Sequence, residues 1–418
     1  MSKFRAVLKS RNFFRLWLGQ IISQLGDRLY QMALIGFVYS RAPGSAYEIA
    51  KVISFTIIPV FLVGPIAGVY VDRWDRRRTL FVCDFLRAAL VLAIPAFLFY
   101  TKNLLPIYLI IFIVFSIGRF FVPAKLSIVP ELVENKDLLV ANSLINTTGM
   151  IAAVLGFGFG GVIVELLGVR SGFYLNSLGF LISGILIFRI AKRHPALHGN
   201  IKTSGKEILE VMRKSVLAEV RDGAVYFIKN KEIRFTAWMI FALWAALGSA
   251  YVVIIVFIQK TLHSATKDLG LLVMFLGIGL FIGSFVYGKF GQRLSHFKAV
   301  FSSLVLSGMM LVIFAAMVHR YPNFTVAAIS AFLLGIVISP MMIATNTIVH
   351  NASSGSMLGK IFSSLEIVMH LGFLIFMFIS SILAEKFSSF IILVAVGSII
   401  MLLGAINLMC QRKVSWLN

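Results

Sequence analysis

The chain has 418 residues, of which 59% are hydrophobic and only 13% charged, and its mean hydropathy is +0.93. A soluble domain is nearer 45–50% apolar, and no core of this size could hide the excess, so a soluble globular protein is excluded. The net charge of +22, from 39 lysines and arginines against 17 acidic residues, is not a nucleic-acid signature either, because no soluble basic domain exists to carry one.

Crossing the hydrocarbon of a bilayer takes about 20 consecutive apolar residues as a helix. In chain order such runs lie at 13–38, 46–71, 79–100, 105–124, 139–164 and 169–189, and then at 235–258, 268–290, 298–318, 324–345, 358–382 and 387–410. The runs are long and continuously apolar, whereas barrel strands would alternate over about ten residues. The expectation is an all-α integral membrane protein of twelve transmembrane helices in two six-helix halves. These halves would span 1–190 and 235–418, joined by a charged linker over 191–234.

Lysine and arginine concentrate on one side of these spans: before the first, after the second and in the central linker. By the positive-inside rule both termini are then cytoplasmic, and the positive charge reads as topology plus attraction to anionic inner-leaflet lipid. Within the linker Ile208, Val211, Met212 and Val216 fall near helical spacing, which predicts an amphipathic helix at the cytoplasmic surface. Cys83 and Cys410 both fall near that reducing face and read as structural thiols. Asp27 and Arg28 inside the first run argue against a cleavable leader.

Between the second and third runs stands Gly68-Val69-Tyr70-Val71-Asp72-Arg73-Trp74-Asp75-Arg76-Arg77-Arg78-Thr79-Leu80. It resembles the signature loop between helices 2 and 3 of the major facilitator superfamily, matching at Gly68, Asp72, Arg73, Arg76, Arg77 and Leu80. Asp75 stands where that signature has glycine. A degenerate second copy recurs at Gly288 and Arg293, with Gln292 in place of the acid. Arg11–Trp17 echoes Lys231–Trp238, and Gly118 with Pro123 echoes Gly335 with Pro340. Three matches at nearly one offset indicate duplicated halves, an arrangement that usually holds substrate between them near the midplane. The resemblance implies alternating access, with the gate lock in the first copy, which alone keeps the acid.

Ionisable groups at membrane depth are costly and are functional candidates by default. In the first span Gln20, Gln24, Asp27 and Gln31 share one helical stripe. Asp27 lies about 14 residues in, roughly 21 Å at 1.5 Å per residue. Such a stripe suits a water-lined cavity with Asp27 as proton carrier, or else a permanently paired helix lock. Asp84 and Arg87, one turn apart in span 3, are candidates for an inner charge network with Arg119, Asp72 and Arg73. Glu366 and His370, one turn apart in span 11, suit a proton relay or a structural pair; no further ligands accompany them, so no metal is expected. The glycines of span 5, Gly149, Gly156, Gly158, Gly160 and Gly161, read first as close helix packing.

A narrower resemblance rests on Leu16–Gln20, Gln24–Arg28 and the run Arg119–Leu132. These look like the drug–proton antiporter-3 branch, which includes macrolide efflux pumps, siderophore exporters and the lysophospholipid flippase. Arg119 falls where the superfamily's helix-4 signature has an arginine implicated in proton coupling. The resemblance implies a monomeric secondary transporter of the bacterial inner membrane, moving an amphipathic or hydrophobic small molecule outward against protons. The alternative is a lysophospholipid flippase or siderophore exporter without obligatory proton coupling. An enzyme is not expected, since candidate bases and nucleophiles are scattered, and neither is a cofactor.

Overall fold

The computed structural model describes residues 3–71, 73–100, 104–191, 231–291, 295–352 and 358–411. Its helices are α1 (Lys3–Lys9), α2 (Arg11–Arg41), α3 (Ala46–Leu62), α4 (Gly64–Val71), α5 (Arg76–Tyr100), α6 (Leu105–Leu132), α7 (Leu138–Leu167) and α8 (Val169–Phe188). After the linker come α9 (Lys231–Leu262), α10 (Lys267–Phe290), α11 (His296–Arg320), α12 (Phe324–Ala352), α13 (Leu358–Lys386) and α14 (Ser389–Gln411). The described residues contain no strand. This follows from the solvent: lipid offers no partner for a backbone N–H or C=O, so each span must satisfy its own ladder.

Among the described residues ten helices are long and apolar enough to cross a membrane: α5 to α14. The first two predicted spans are present but carry more polar or broken backbone. Helix α2 holds the whole first span with its stripe of glutamines and Asp27. The second predicted span, 46–71, is two helices, interrupted at Val63 between α3 and α4. Pro59 lies one turn before the break and Pro65 just after it, and a proline lacks the N–H that would continue the ladder. The fourth predicted span ends too early. Helix α6 continues beyond 124 through Pro130 to Leu132, and near its end the Arg76 guanidinium takes the Ser127 carbonyl at 3.0 Å.

Turns between spans are closed by short polar caps. Ser10 accepts from the Phe13 N–H at 3.4 Å, Ser45 from Glu48 at 3.2 Å and Asp75 from Arg78 at 2.8 Å. Ser295 does the same for Lys298 at 3.4 Å and Ser388 for Ile391 at 3.3 Å. Gly44 and Gly168 turn the chain with φ of 75° and 85°, a region that side-chain-bearing residues rarely enter.

The chain divides into two compact units, Met1–Phe37 with Val52–Ala218, and Val38–Lys51 with Glu219–Asn418. In the first unit α5 packs on α6 and α8, over a core that includes Phe13, Leu16, Leu80, Phe121 and Ile187. In the second unit α10 pairs with α12, α9 with α13, and α11 with α14. There Glu385 accepts from the Ser45 hydroxyl at 2.6 Å and from the Tyr47 N–H at 3.3 Å. Large apolar side chains remain outside, Phe285 at 70% and Met409 at 71% exposure; such patches need hydrocarbon around them. The expected amphipathic linker helix falls on residues 192–230, outside those described.

Candidate functional site

Polar chemistry in the first unit gathers along α2 and the faces of α5, α7 and α8 packed on it. Helix α2 approaches its neighbours through small residues. A Cβ on Gly156 would meet Arg28 Cβ at 2.9 Å, one on Gly160 the Leu29 Cα at 3.0 Å, and one on Gly149 the Gln24 amide oxygen at 2.8 Å. The glycines of α7 are therefore a packing surface for α2. From α2 itself, Gly19 lies against Ser183 and Gly26 against Asn176 of α8, at 3.1 and 2.6 Å from the Cβ each would carry.

Asp27 is half-buried on this helix and makes no hydrogen bond or ion pair among the described residues. The charges of Arg87, Arg28 and Lys125 are the cations that act on it. Gln24 lies against Gly149, as above. Gln31 departs from the expected cavity role: its amide oxygen accepts from Arg28 Nη1 at 3.2 Å, and the same guanidinium sits 5.1 Å from the Phe157 ring centroid. Arg28 thus points to α7, about 100° around the helix from Asp27, as one residue of helical advance requires.

One turn of α5 brings Asp84 and Arg87 together. Arg87 Nη2 donates to Asp84 Oδ1 at 2.5 Å, with the carboxylate fully buried and the arginine nearly so. The guanidinium is also sandwiched by two rings, 4.1 Å from the Phe180 centroid on α8 and 4.8 Å from Phe121 on α6. Of the other expected members of the network, Arg73 is exposed, Arg119 is half-buried on α6, and Asp72 lies outside the described residues. A single turn places an i,i+3 pair side by side, whereas the loop arginines lie beyond the helix end.

The loop arginines instead fasten helix ends. Arg77 donates to the Phe188 carbonyl and, at 3.4 Å, to that of Ile187. Arg15 donates to the Arg189 carbonyl, and Asn12 accepts from the Ala191 N–H at 3.2 Å. Two cations therefore complement the bare carbonyls and negative dipole at the C-terminus of α8. Arg76 pairs with Glu131 near the end of α6. Gly68 is spacious, since a Cβ there would meet nothing within 4 Å.

Asp75, the departure from the signature, is the N-cap of α5, and its φ is ordinary; a carboxylate here does the work of a turn that elsewhere takes glycine. Asp75→Ala should cost about 0.5–2 kcal/mol, read as a lower unfolding midpoint of the purified protein. Asp75→Asn should recover most of it.

In the second unit the expected Glu366–His370 pair stands one turn apart on α13. His370 Nδ1 donates to the backbone carbonyl of Glu366 at 2.8 Å, and the imidazole lies on Trp244 with centroids 5.7 Å apart. Helix geometry explains this, because a side chain at i+4 reaches back to the carbonyl at i as easily as to the side chain. Glu366 is exposed. Among the described residues no group of three or more His, Cys, Asp or Glu could hold a metal, and Cys83 is a buried free thiol.

Two residues on this seam carry no sequence expectation: Asn176 and Ser183, buried on α8, with Asn176 Oδ1 and Nδ2 lacking protein partners and the Ser183 hydroxyl beside the Asp84 carboxylate. Gln20 Nε2 also lacks a protein partner. Their signal was available, since 176 and 183 are seven apart on one face of an apolar span. Buried polar atoms are normally paired, and this seam therefore carries hydrogen-bonding capacity that its protein contacts do not use.

The sequence pattern of the Major Facilitator Superfamily matches residues 16–253 and 235–417. The uncharacterized MFS-type transporter YkuC of Bacillus subtilis is 26% identical over 350 residues, covering 81% of this chain and 77% of its own. Macrolide efflux protein A of Streptococcus pyogenes is 23% identical over 384 residues, covering 90% and 89%. Among solved structures the nucleoside transporter NupG superposes with a TM-score of 0.75 at 13% identity, over 96% of this chain and 99% of its own. A bacterial homologue of the iron transporter ferroportin, in an inward-facing state, gives 0.71 at 15% identity, over 95% and 98%. With that pattern across nearly its whole length and a helical fold to match, the chain belongs to the major facilitator superfamily, as a multi-pass transporter of the bacterial inner membrane.

Proposed function

We propose that this transporter exports an amphipathic or hydrophobic small molecule in exchange for protons, by alternating access of the halves 1–190 and 235–418 tethered through 191–234, with both termini cytoplasmic and the chain working as a monomer. Its efflux relative, macrolide efflux protein A, supports the direction. The observation that carries proton coupling is the contrast between two buried-helix carboxylates. Asp84 is held by Arg87, whereas Asp27 lies in the field of three cations and is bound to none. Burial opposes the charge of such a carboxylate and the cations favour it, so one that is locked to no partner can take up and release a proton during a cycle.

In this reading Gln24 shares the Asp27 face, Gln31 steers Arg28, and Arg119 tunes the charge of the first half. Glu366 and His370 position the α9–α13 contact. Asp72 and Arg73 form the gate lock, with Arg76 and Arg77 anchoring the loop to α6 and α8. Asp27→Asn should reduce proton-driven export of an amphipathic dye from inside-out vesicles by about tenfold or more, with equilibrium dye binding kept. Full export by that variant would remove Asp27 from the mechanism. Export that persists in the wild type after the pH gradient is collapsed would replace exchange with uncoupled lipid or chelate movement.

A further inference from the structure

The second unit holds a partly open cavity of about 310 Å³ among α9, α10, α11 and α12, reached by one residue each from α13 and α14. Its wall is aliphatic and aromatic, as Leu247, Leu272, Leu311, Leu334 and Phe373 illustrate, and it carries no Asp, Glu, Lys, Arg or His. The space is about twice the 150 Å³ of a dry leucine-lined cavity that accepts benzene, and it reaches the size at which ligand pockets begin.

The helices around the cavity are closely paired. A Cβ on Gly248 would run into the Phe373 backbone, one on Gly335 into the Leu276 carbonyl, and one on Gly308 would come within 2.5 Å of the Gly397 carbonyl. Each of the three helix pairs is therefore in backbone contact, and two of the locks sit on cavity-wall residues. Backbones already touching cannot move closer, so each pair is fixed as a unit and the space between pairs cannot be taken up by tightening within them.

One wall residue differs from its kind. Serines in apolar helices usually close on their own carbonyls, as Ser302, Ser339, Ser380 and Ser381 do at 2.6 to 3.1 Å. Ser307 does not: it is 7% exposed and its hydroxyl has no partner among the described residues. A buried hydroxyl left bare in an apolar wall is a hydrogen-bonding group reserved for something that enters.

We propose that this cavity is a binding site for an uncharged apolar chain or ring system carrying one hydrogen-bonding group, which Ser307 meets. Its identification with the apolar part of the cargo rests on the export reading above; the binding itself does not. The same chemistry could come from a free small molecule or from a lipid acyl chain, and the probes distinguish them.

Full-length protein in liposomes, with no ion gradient, is photolabelled with an aliphatic diazirine ketone, with the matching diazirine hydrocarbon, and with phosphatidylcholine bearing the diazirine in its acyl chain. The ketone should label peptides spanning 243–258, 269–276 and 304–314. Ala250→Leu and, independently, Ala331→Leu fill the cavity and should cut that labelling about tenfold in whichever variant keeps its unfolding midpoint. Ser307→Ala should weaken the ketone about fivefold and leave the hydrocarbon unchanged. Wall labelling by the phospholipid, sensitive to the same fillings, would identify the occupant as a lipid chain. Labelling confined to outward positions such as Phe281 and Phe285, or indifferent to both fillings in folded protein, overturns the proposal. Filling-sensitive labelling together with Asp27-independent export would leave the site standing and sink the export reading; the reverse pattern would sink the site alone.

Discussion

Arg87→Met should be among the most damaging single substitutions in the first unit, costing about 3–5 kcal/mol of stability, because it strands the fully buried Asp84 carboxylate. Asp84→Asn should cost less. The guanidinium it leaves behind keeps the faces of Phe180 and Phe121, and a desolvated cation–π contact contributes about 2 kcal/mol or more. The double variant Asp84→Asn/Arg87→Met should recover much of the loss, since neither charge then remains. Urea or thermal unfolding of the four proteins gives the coupling energy directly, and simple additivity would show that the pair does not act as one. The pair is also poorly optimised for stability alone, with Arg87 Nε bare, which fits a role in positioning the polar face of α2.

Substitution at the α10–α12 crossing should be comparably severe. Gly279 lies against the Phe332 carbonyl and Gly335 against that of Leu276, so Gly279→Val or Gly335→Val must separate two backbones. Overpacking of this kind costs about 1–3 kcal/mol, occasionally more, and the expected readout is loss of monodisperse folded protein on size exclusion and a lowered midpoint. Gly118→Ala and Gly288→Ala are the controls, because a Cβ at either meets nothing within 4 Å. They should be neutral or slightly stabilising through the unfolded state. Equal damage from the controls would mean that close approach is not what these glycines supply.

Hydropathy located the spans because a helix in lipid is compelled by its solvent, and α5, α7 to α11, α13 and α14 begin and end within a few residues of the apolar runs, while α12 continues seven residues beyond 345 to Ala352. It missed the break at Val63 because hydropathy registers side chains, while the break is set by the missing N–H of Pro65 and the nearby Pro59. It cut α6 short for the opposite reason: polar residues from Lys125 onward suggested a loop, yet Arg76 and the α6 ladder carry the helix to Leu132. Spacing correctly joined Asp84 to Arg87, but not the aromatic faces from α6 and α8, which are long-range neighbours. Spacing also joined Glu366 to His370 without showing that the imidazole takes the backbone carbonyl of Glu366. Asn176 and Ser183 went unread because neutral polar residues in an apolar span carry no charge to draw attention.

The cavity in the second unit has a volumetric meaning. The volume by which pressure favours unfolding scales with the internal space that unfolding eliminates, without equalling it, and about 310 Å³ per molecule contributes to that space. Hydrostatic compression therefore discriminates between an empty and an occupied second half. The empty protein should unfold at the lower pressure. One whose void is filled by a ligand or by leucine at Ala250 should resist it, whatever the two forms show on heating.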